Sequence, residues 1–163
     1  MPWGKDMKIS DDGLNFIKKW EKFVPFIYDD FAPKKEWDGS KPKGTLTIGY
    51  GHTKAAKDPI KMEKGLRITE PQASKILRND LGPAEDAVNA AVKVPLTQHQ
   101  FDALVSFKFN TGRLAGTGLL TKINAKKFAN VPAEFRKWVK SKGKTLQGLK
   151  NRRQGEIDLW NMA

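Results

Sequence analysis

The chain has 163 residues, 39% of them apolar, enough for one sizeable core or two small ones, and no run reaches the roughly 18 to 20 apolar residues that crossing a bilayer requires. It has no cysteine, which excludes disulfides and thiolate chemistry, and its first eight residues lack the apolar core of a leader, so the product is expected to be made in the cytoplasm. The net charge of +12 attracts polyanions, but 24 of the 30 cations are Lys, point charges spread along the chain, which favours solubility and diffuse attraction to anionic envelope polymers or a membrane surface over specific reading of nucleic acid.

Ile9-Ser10-Asp11-Asp12-Gly13-Leu14 opens a first helix over about 11 to 21: Ser10 suits the N-cap, Ile9 can staple onto Leu14, and Pro25 stops it. Glu21 closes this helix beside the stripe of Leu14, Ile17 and Trp20. Burial against that stripe and the negative helix end both disfavour its charged form, so a raised pKa is expected. Asp30 lies in a polar turn, where solvation keeps it ionised. One protonated and one ionised carboxyl are what hydrolysis of a glycosidic bond needs.

Phe26 to Asp30 and Thr45 to Tyr50 alternate as two strands of a small antiparallel sheet. On the second, Thr45, Thr47, Gly49 and Gly51 share one face, which leaves room for a sugar ring; a tight bend or bulge explains the glycines equally well. Phe31 to Gly44, with two prolines, two glycines and no periodicity, reads as a loop. Thr69, Glu70, Pro71 and Gln72 form a capping box, and an apolar stripe from Ala73 to Val92 continues the helix to about 92, with a kink or restart at Gly82-Pro83.

Leu96, Thr97, Gln100 and Phe101 repeat the capping grammar for a helix carrying Leu104, Val105 and Phe109 in the core of the second lobe. Asn110 is either a sugar-binding amide or part of the Asn-Thr-Gly cap of that helix. Leu114 to Asn124 reads as a short helix, Asn130 to Val139 as another, and about 147 to 160 as the last, with Leu149, Ile157 and Trp160 inward. Arg152, Arg153 and Glu156 have the spacing of surface ion pairs. His52, with no second ligand at metal spacing, is no zinc site.

Glu21, Tyr28, Asp30 and the run Thr47-Ile48-Gly49-Tyr50-Gly51-His52-Thr53 resemble the phage-type lysozymes of glycoside hydrolase family 24, T-even phage lysozyme and its relatives among phage endolysins. The similarity continues through Pro95 to Gly112 and Gly148 to Glu156, so it covers nearly the whole chain. The resemblance implies an α+β, mostly α-helical lysozyme-like domain, with a small β-containing lobe at 11–68, a connecting helix at 69–92 and a helical lobe at 93–163. It implies a muramidase that inverts at the anomeric carbon, lyses the host from within and needs no cofactor or metal. Its substrate is bacterial peptidoglycan, reached by a monomer after release across the inner membrane.

By the same resemblance Glu21, Asp30 and Thr47 are the catalytic set, and Tyr28, Thr53, Phe109 and Asn110 contact substrate. Asp80 pairs with His52; such opposite charges raise the His pKa and lower the Asp pKa. Three departures stand out. Lys22 occupies a position usually held by Gly, Gly116-Thr117-Gly118 is looser than the family segment, and Asp30 and Thr47 are seventeen positions apart where the family keeps them much closer. The intervening loop is expected to extend the rim of the cleft.

Overall fold

The computed structural model describes residues 6–32 and 35–162. Pro33 and Lys34 of the loop, and the first five residues of the leader reading, lie outside the described residues. The chain divides into two compact units, Phe16–Pro83 and Met1–Asn15 with Ala84–Ala163.

Helix α1, Asp11–Glu21, starts where Ser10 Oγ accepts the Gly13 N–H at 3.0 Å. It ends earlier than Pro25 requires. The Lys22 N–H still donates to Lys18 O at 2.9 Å, but Lys22 itself turns left-handed at φ +61° and redirects the chain. A left-handed C-terminal residue is the usual way to stop a helix and is best filled by Gly, so Lys22 carries a strain that glycine would not.

In the unit of Phe16–Pro83, β1, Val24–Asp29, pairs antiparallel with β2, Leu46–Gly49, with Tyr28 opposite Thr47 and a bulge between Val24 and Tyr28. The expected alternation through Tyr50 stops at Gly49. There the chain bends, and Ile48 and His52 exchange backbone hydrogen bonds of 3.0 and 2.9 Å; the bend accounts for this glycine better than an open sugar-binding face. Part of the loop is held by backbone pairing that its composition does not suggest: Glu36 pairs with Tyr28, and the Trp37 N–H donates to Ile27 O at 2.7 Å.

Helix α2, Glu70–Asp80, has the full capping box: Thr69 Oγ1 accepts from the Gln72 N–H and Gln72 Oε1 from the Thr69 N–H. Ile17, Ile27, Ile48, Leu77 and Leu81 are fully buried in this unit. The helical stripe does break where proline forces it, and a separate α3, Gly82–Ala91, follows.

In the other unit α4, Gln98–Thr111, carries the second capping box and ends at Gly112, whose left-handed φ of +72° makes it the cap. It packs along α7, Gln147–Trp160. Phe107 meets Phe135 edge to face at 5.7 Å and Trp138 at 5.5 Å, a favoured geometry for ring quadrupoles. Phe109 and Leu149, expected inside, are only half covered. Helix α5, Gly118–Asn124, begins later than Leu114 because the Thr117 hydroxyl caps it by accepting from the Leu120 N–H. Helix α6, Val131–Arg136, stops short of Trp138, and a small hairpin follows that periodicity did not reveal: β3, Lys140–Ser141, and β4, Lys144–Thr145. Its turn residues Lys142 and Gly143 have φ of +51° and +79°, a left-handed pair that suits two-residue hairpin turns.

Candidate active site

Glu21 sits at the last residue of α1, half exposed, and its position is set by the turn that follows β2. A Cβ on Gly51 would lie 2.8 Å from Glu21 Oε1. Gly51, at φ +72°, therefore lets the backbone approach the carboxylate as no other residue would. The approach is locked from behind. Glu70, in the first turn of α2, accepts from the Tyr50 hydroxyl at 2.5 Å and pairs with Lys18 Nζ at 3.1 Å, one turn before Glu21. Burial, then the bond to Glu70, pushes the Tyr50 hydroxyl up to about 12, so it remains a donor. These contacts depend on tertiary meeting points between α1, the turn and α2; in the sequence the only signal was an acidic residue inside a capping box.

Asp30 and Asp29 are adjacent carboxylates with different occupations. Asp29 accepts three backbone N–H groups, from Phe31 at 3.0 Å, Lys43 at 2.7 Å and Gly44 at 2.9 Å. These bonds, that from Phe31 foremost, hold its carboxyl below the usual range. Asp30 is exposed, and its Oδ1 accepts the Thr45 N–H at 2.8 Å while its own N–H donates to Thr45 O at 3.0 Å. Its Oδ2 has no hydrogen-bonding partner among the described residues. Of the two, only Asp30 retains an oxygen for a substrate or water. Gly44 is required by this packing, since a Cβ there would lie 2.0 Å from Asp30 Oδ1. Both Asp29 and Gly44 were passed over in the sequence because a clamp between positions 14 and 15 residues apart has no local pattern.

Thr47 is 5% exposed and lies opposite Tyr28 in the sheet. Its hydroxyl donates to Thr45 O at 3.1 Å, so its oxygen is left to accept. Half-buried Tyr28 connects the set: its hydroxyl pKa is raised by burial first, then by the negative charges of Glu21 and of Asp30. Glu21, Tyr28, Asp30 and Thr47 thus gather in one unit around the β1–β2 pair.

The remaining site candidates take other places. Thr53 Oγ1 accepts from the Ala55 N–H at 3.2 Å and serves a turn. His52 Nδ1 lies 2.8 Å from Asp80 Oδ2, both side chains being buried. Its other nitrogen, Nε2, accepts the Ile60 N–H at 3.1 Å. A nitrogen that accepts carries no proton, so the network assigns a neutral ring that donates from Nδ1. Both nitrogens are engaged, leaving no lone pair for a metal. The expectation of a lowered Asp80 pKa is overturned: burial pushes this carboxyl up, against the pull of His52, with Asp58 adding to the rise. Desolvation outweighs both the hydrogen bond and the charge attraction from His52.

Phe109 and Asn110 lie in the other unit. Asn110 is not the helix cap, which is Gly112; its Oδ1 accepts from Arg153 Nη2 at 2.7 Å. It borders a cavity of about 440 Å³ that Trp138 and Leu146 also line. The surface ion-pair reading of Arg152, Arg153 and Glu156 is overturned, because all three are buried, Glu156 completely. Arg153 Nη2 donates to Glu156 Oε2 at 3.1 Å, and its Nε lies 2.7 Å from Oε1 as a charge contact without hydrogen-bond geometry. The Ser106 hydroxyl donates to Glu156 as well, and Arg153 stacks over Phe107 at 5.2 Å. Burial raises the Glu156 carboxyl against the opposing pull of both guanidiniums.

The fold is that of a lysozyme-like α+β protein, mostly helical with two small antiparallel sheets. Residues 18–156 match the phage lysozyme family, and the chain belongs to that family. It is 41% identical over 157 residues to an endolysin of Bacillus phage PZA, an alignment covering 95% of this chain and 55% of that relative. With an endolysin of Acyrthosiphon pisum secondary endosymbiont phage 1 it shares 39% identity over 163 residues, covering 96% of this chain and all of the other. Among solved structures it resembles the muramidase domain of SpmX from Asticaccaulis excentricus, with a TM-score of 0.77 and 33% identity, covering 96% of this chain and 99% of that one. The chain spans about half the length of the Bacillus phage relatives it matches. No helix among the described residues is long and apolar enough to cross a membrane.

Proposed function

We propose that this chain is a muramidase, hydrolysing the β-1,4 bond between N-acetylmuramic acid and N-acetylglucosamine in bacterial peptidoglycan so that the host cell lyses. Membership in the phage lysozyme family and the endolysin relatives support the substrate and the biological setting. A finer placement, in glycoside hydrolase family 24 beside T-even phage lysozyme, is part of this reading. So are synthesis in the host cytoplasm, release across the inner membrane and action as a monomer, with the positive charge adding attraction to the anionic envelope.

The observation that carries the mechanism is the contrast between the two carboxylates around Tyr28. Glu21, half covered at the negative end of α1, is the group that protonates the leaving oxygen. Asp30, exposed and with Oδ2 uncommitted, takes a proton from water. The oxygen of Thr47, whose own proton is directed to Thr45, accepts the second hydrogen of that water and turns its lone pair toward the anomeric carbon. A water between base and sugar implies inversion and carboxyls about 6.5 to 9.5 Å apart during catalysis.

Glu21→Gln nearly preserves shape but cannot donate the proton. It is expected to cut the release of reducing ends from peptidoglycan by about 100-fold to 10,000-fold while the melting temperature changes little. Near-normal activity in the folded variant rejects the assignment. NMR of the first-formed anomer tests inversion, and mass analysis of the products separates hydrolysis from a transglycosylase that closes an anhydro sugar.

A further inference from the structure

We propose that Phe31, Lys35, Trp37, Lys41 and Lys43 form a binding site for the carboxylate-bearing peptide stem of the wall glycan, next to Asp30. The inference rests on the muramidase reading of Glu21 and Asp30. A cavity of about 310 Å³ is lined by Phe31, Lys35, Trp37, Lys41 and Lys43, together with three acidic residues. The acidic residues are already satisfied. Asp29 holds its three backbone N–H groups, Asp38 accepts the Ser40 N–H at 2.9 Å, and Glu36 binds Arg67 at 2.5 Å. The ammonium groups of Lys35, Lys41 and Lys43 make no hydrogen bond or ion pair among the described residues, although Lys43 attracts Asp29 and Lys35 attracts Asp38 through space. The cavity therefore offers donors with unmet capacity, the chemistry that captures carboxylates.

Its apolar parts are equally available. Phe31 is 72% exposed, and the Trp37 indole N–H is spent on Ser40 O at 2.7 Å, which leaves the ring face as wall. Aromatic faces of this kind pack against the CH surfaces of sugars and small side chains. Position decides the occupant. Phe31 directly follows Asp30, and the N–H of Thr45, two residues after Lys43, donates to the Asp30 carboxylate. A group seated here is therefore attached to the glycan whose bond lies at Asp30. The acidic part of that glycan is the peptide borne by muramic acid.

The test compares the KM of the full chain on peptide-bearing glycan with that on glycan stripped of its stems. The wild type is expected to favour the peptide-bearing form, and Lys41→Gln/Lys43→Gln is expected to erase a preference of roughly fivefold to tenfold. Both side chains are exposed, so folding is not at stake. Equal KM values in the wild type, or a preference that survives in the variant, overturn the proposal. If the wild type cleaves neither glycan, the muramidase reading fails separately. The subsite is then read from the Trp37 indole N–H resonance during titration with a soluble disaccharide-peptide. A shift absent with the bare disaccharide supports the site; no shift, or a shift only with a polyol phosphate polymer, overturns it.

Discussion

Two carboxylate clusters in this molecule show opposite uses of the same side chain. Around Glu156 the carboxylate is fully buried between two guanidiniums and a serine hydroxyl, its Oε2 hydrogen-bonded and its Oε1 held by charge contact with Arg153. Around Tyr28 the carboxylates stay half or fully exposed, and Asp30 keeps one oxygen without a hydrogen-bonding partner among the described residues. Pairing a buried charge with opposite charges fixes a structure, because the charge cannot leave without stranding its partners. An incompletely satisfied carboxylate near water is what a proton-transfer reaction can use. Each cluster belongs to its own unit.

The sharpest contrast is between Glu21→Gln, described above as costing activity and little stability, and Arg153→Ala. Removing the guanidinium strands a buried carboxylate and the Asn110 amide oxygen, and is expected to lower the unfolding free energy by about 3 to 5 kcal/mol in urea titration. Arg153→Met/Glu156→Leu is expected to cost less than Arg153→Ala alone, since no charge is then left unpaired. A double variant worse than the single one would mean that the pair is held by more than mutual neutralisation.

Gly44→Ala perturbs the other side of the comparison. The new methyl presses hardest on the Asp30 carboxylate, 2.0 Å from Oδ1, and also crowds Asp29 Oδ1 at 2.8 Å and the Phe31 N at 3.2 Å. A loss of kcat of about 100-fold is expected with a stability change under about 1 kcal/mol; unchanged kcat would remove Asp30 from the reaction. Lys22→Gly relieves the left-handed position at the end of α1 and is expected to stabilise by about 1 kcal/mol without harming activity. A melting temperature at or below that of the wild type contradicts this.

Asp80 gives the smallest effect and sharpens the meaning of burial. Its folded pKa is raised above the usual 3.8, so its contribution to stability is present below that value and lost as pH rises through the folded pKa. At neutral pH it is a buried charge held at some cost. Asp80→Asn keeps an oxygen for the His52 Nδ1–H, so at pH 7 it is expected to be neutral or stabilising within about 1 kcal/mol, the advantage vanishing below about pH 4. A loss of several kcal/mol near neutrality would show that His52 is charged, as would a doubly protonated ring in its nitrogen spectrum.

What the sequence determined by itself was local. Ser10, Thr69 and Thr97 cap their helices through atoms a few residues away, so the starts of α1, α2 and α4 could be read directly. Proline at position 83 broke the long stripe for steric reasons that need no neighbour. The types of Glu21, Asp30 and Thr47, with the order of the surrounding blocks, were enough to suggest the chemistry. Tertiary structure alone decided that Arg153 and Glu156 are interior, because their i, i+3 spacing is the same on a wet or a dry helix face. It also selected Asp30 over Asp29 as the carboxylate left open, through three N–H groups delivered from the far end of the loop. Finally, it made His52 a neutral donor, because the Ile60 amide reaches its second nitrogen. Burial and long-range hydrogen bonds depend on which segments meet, and no periodicity along the chain encodes that.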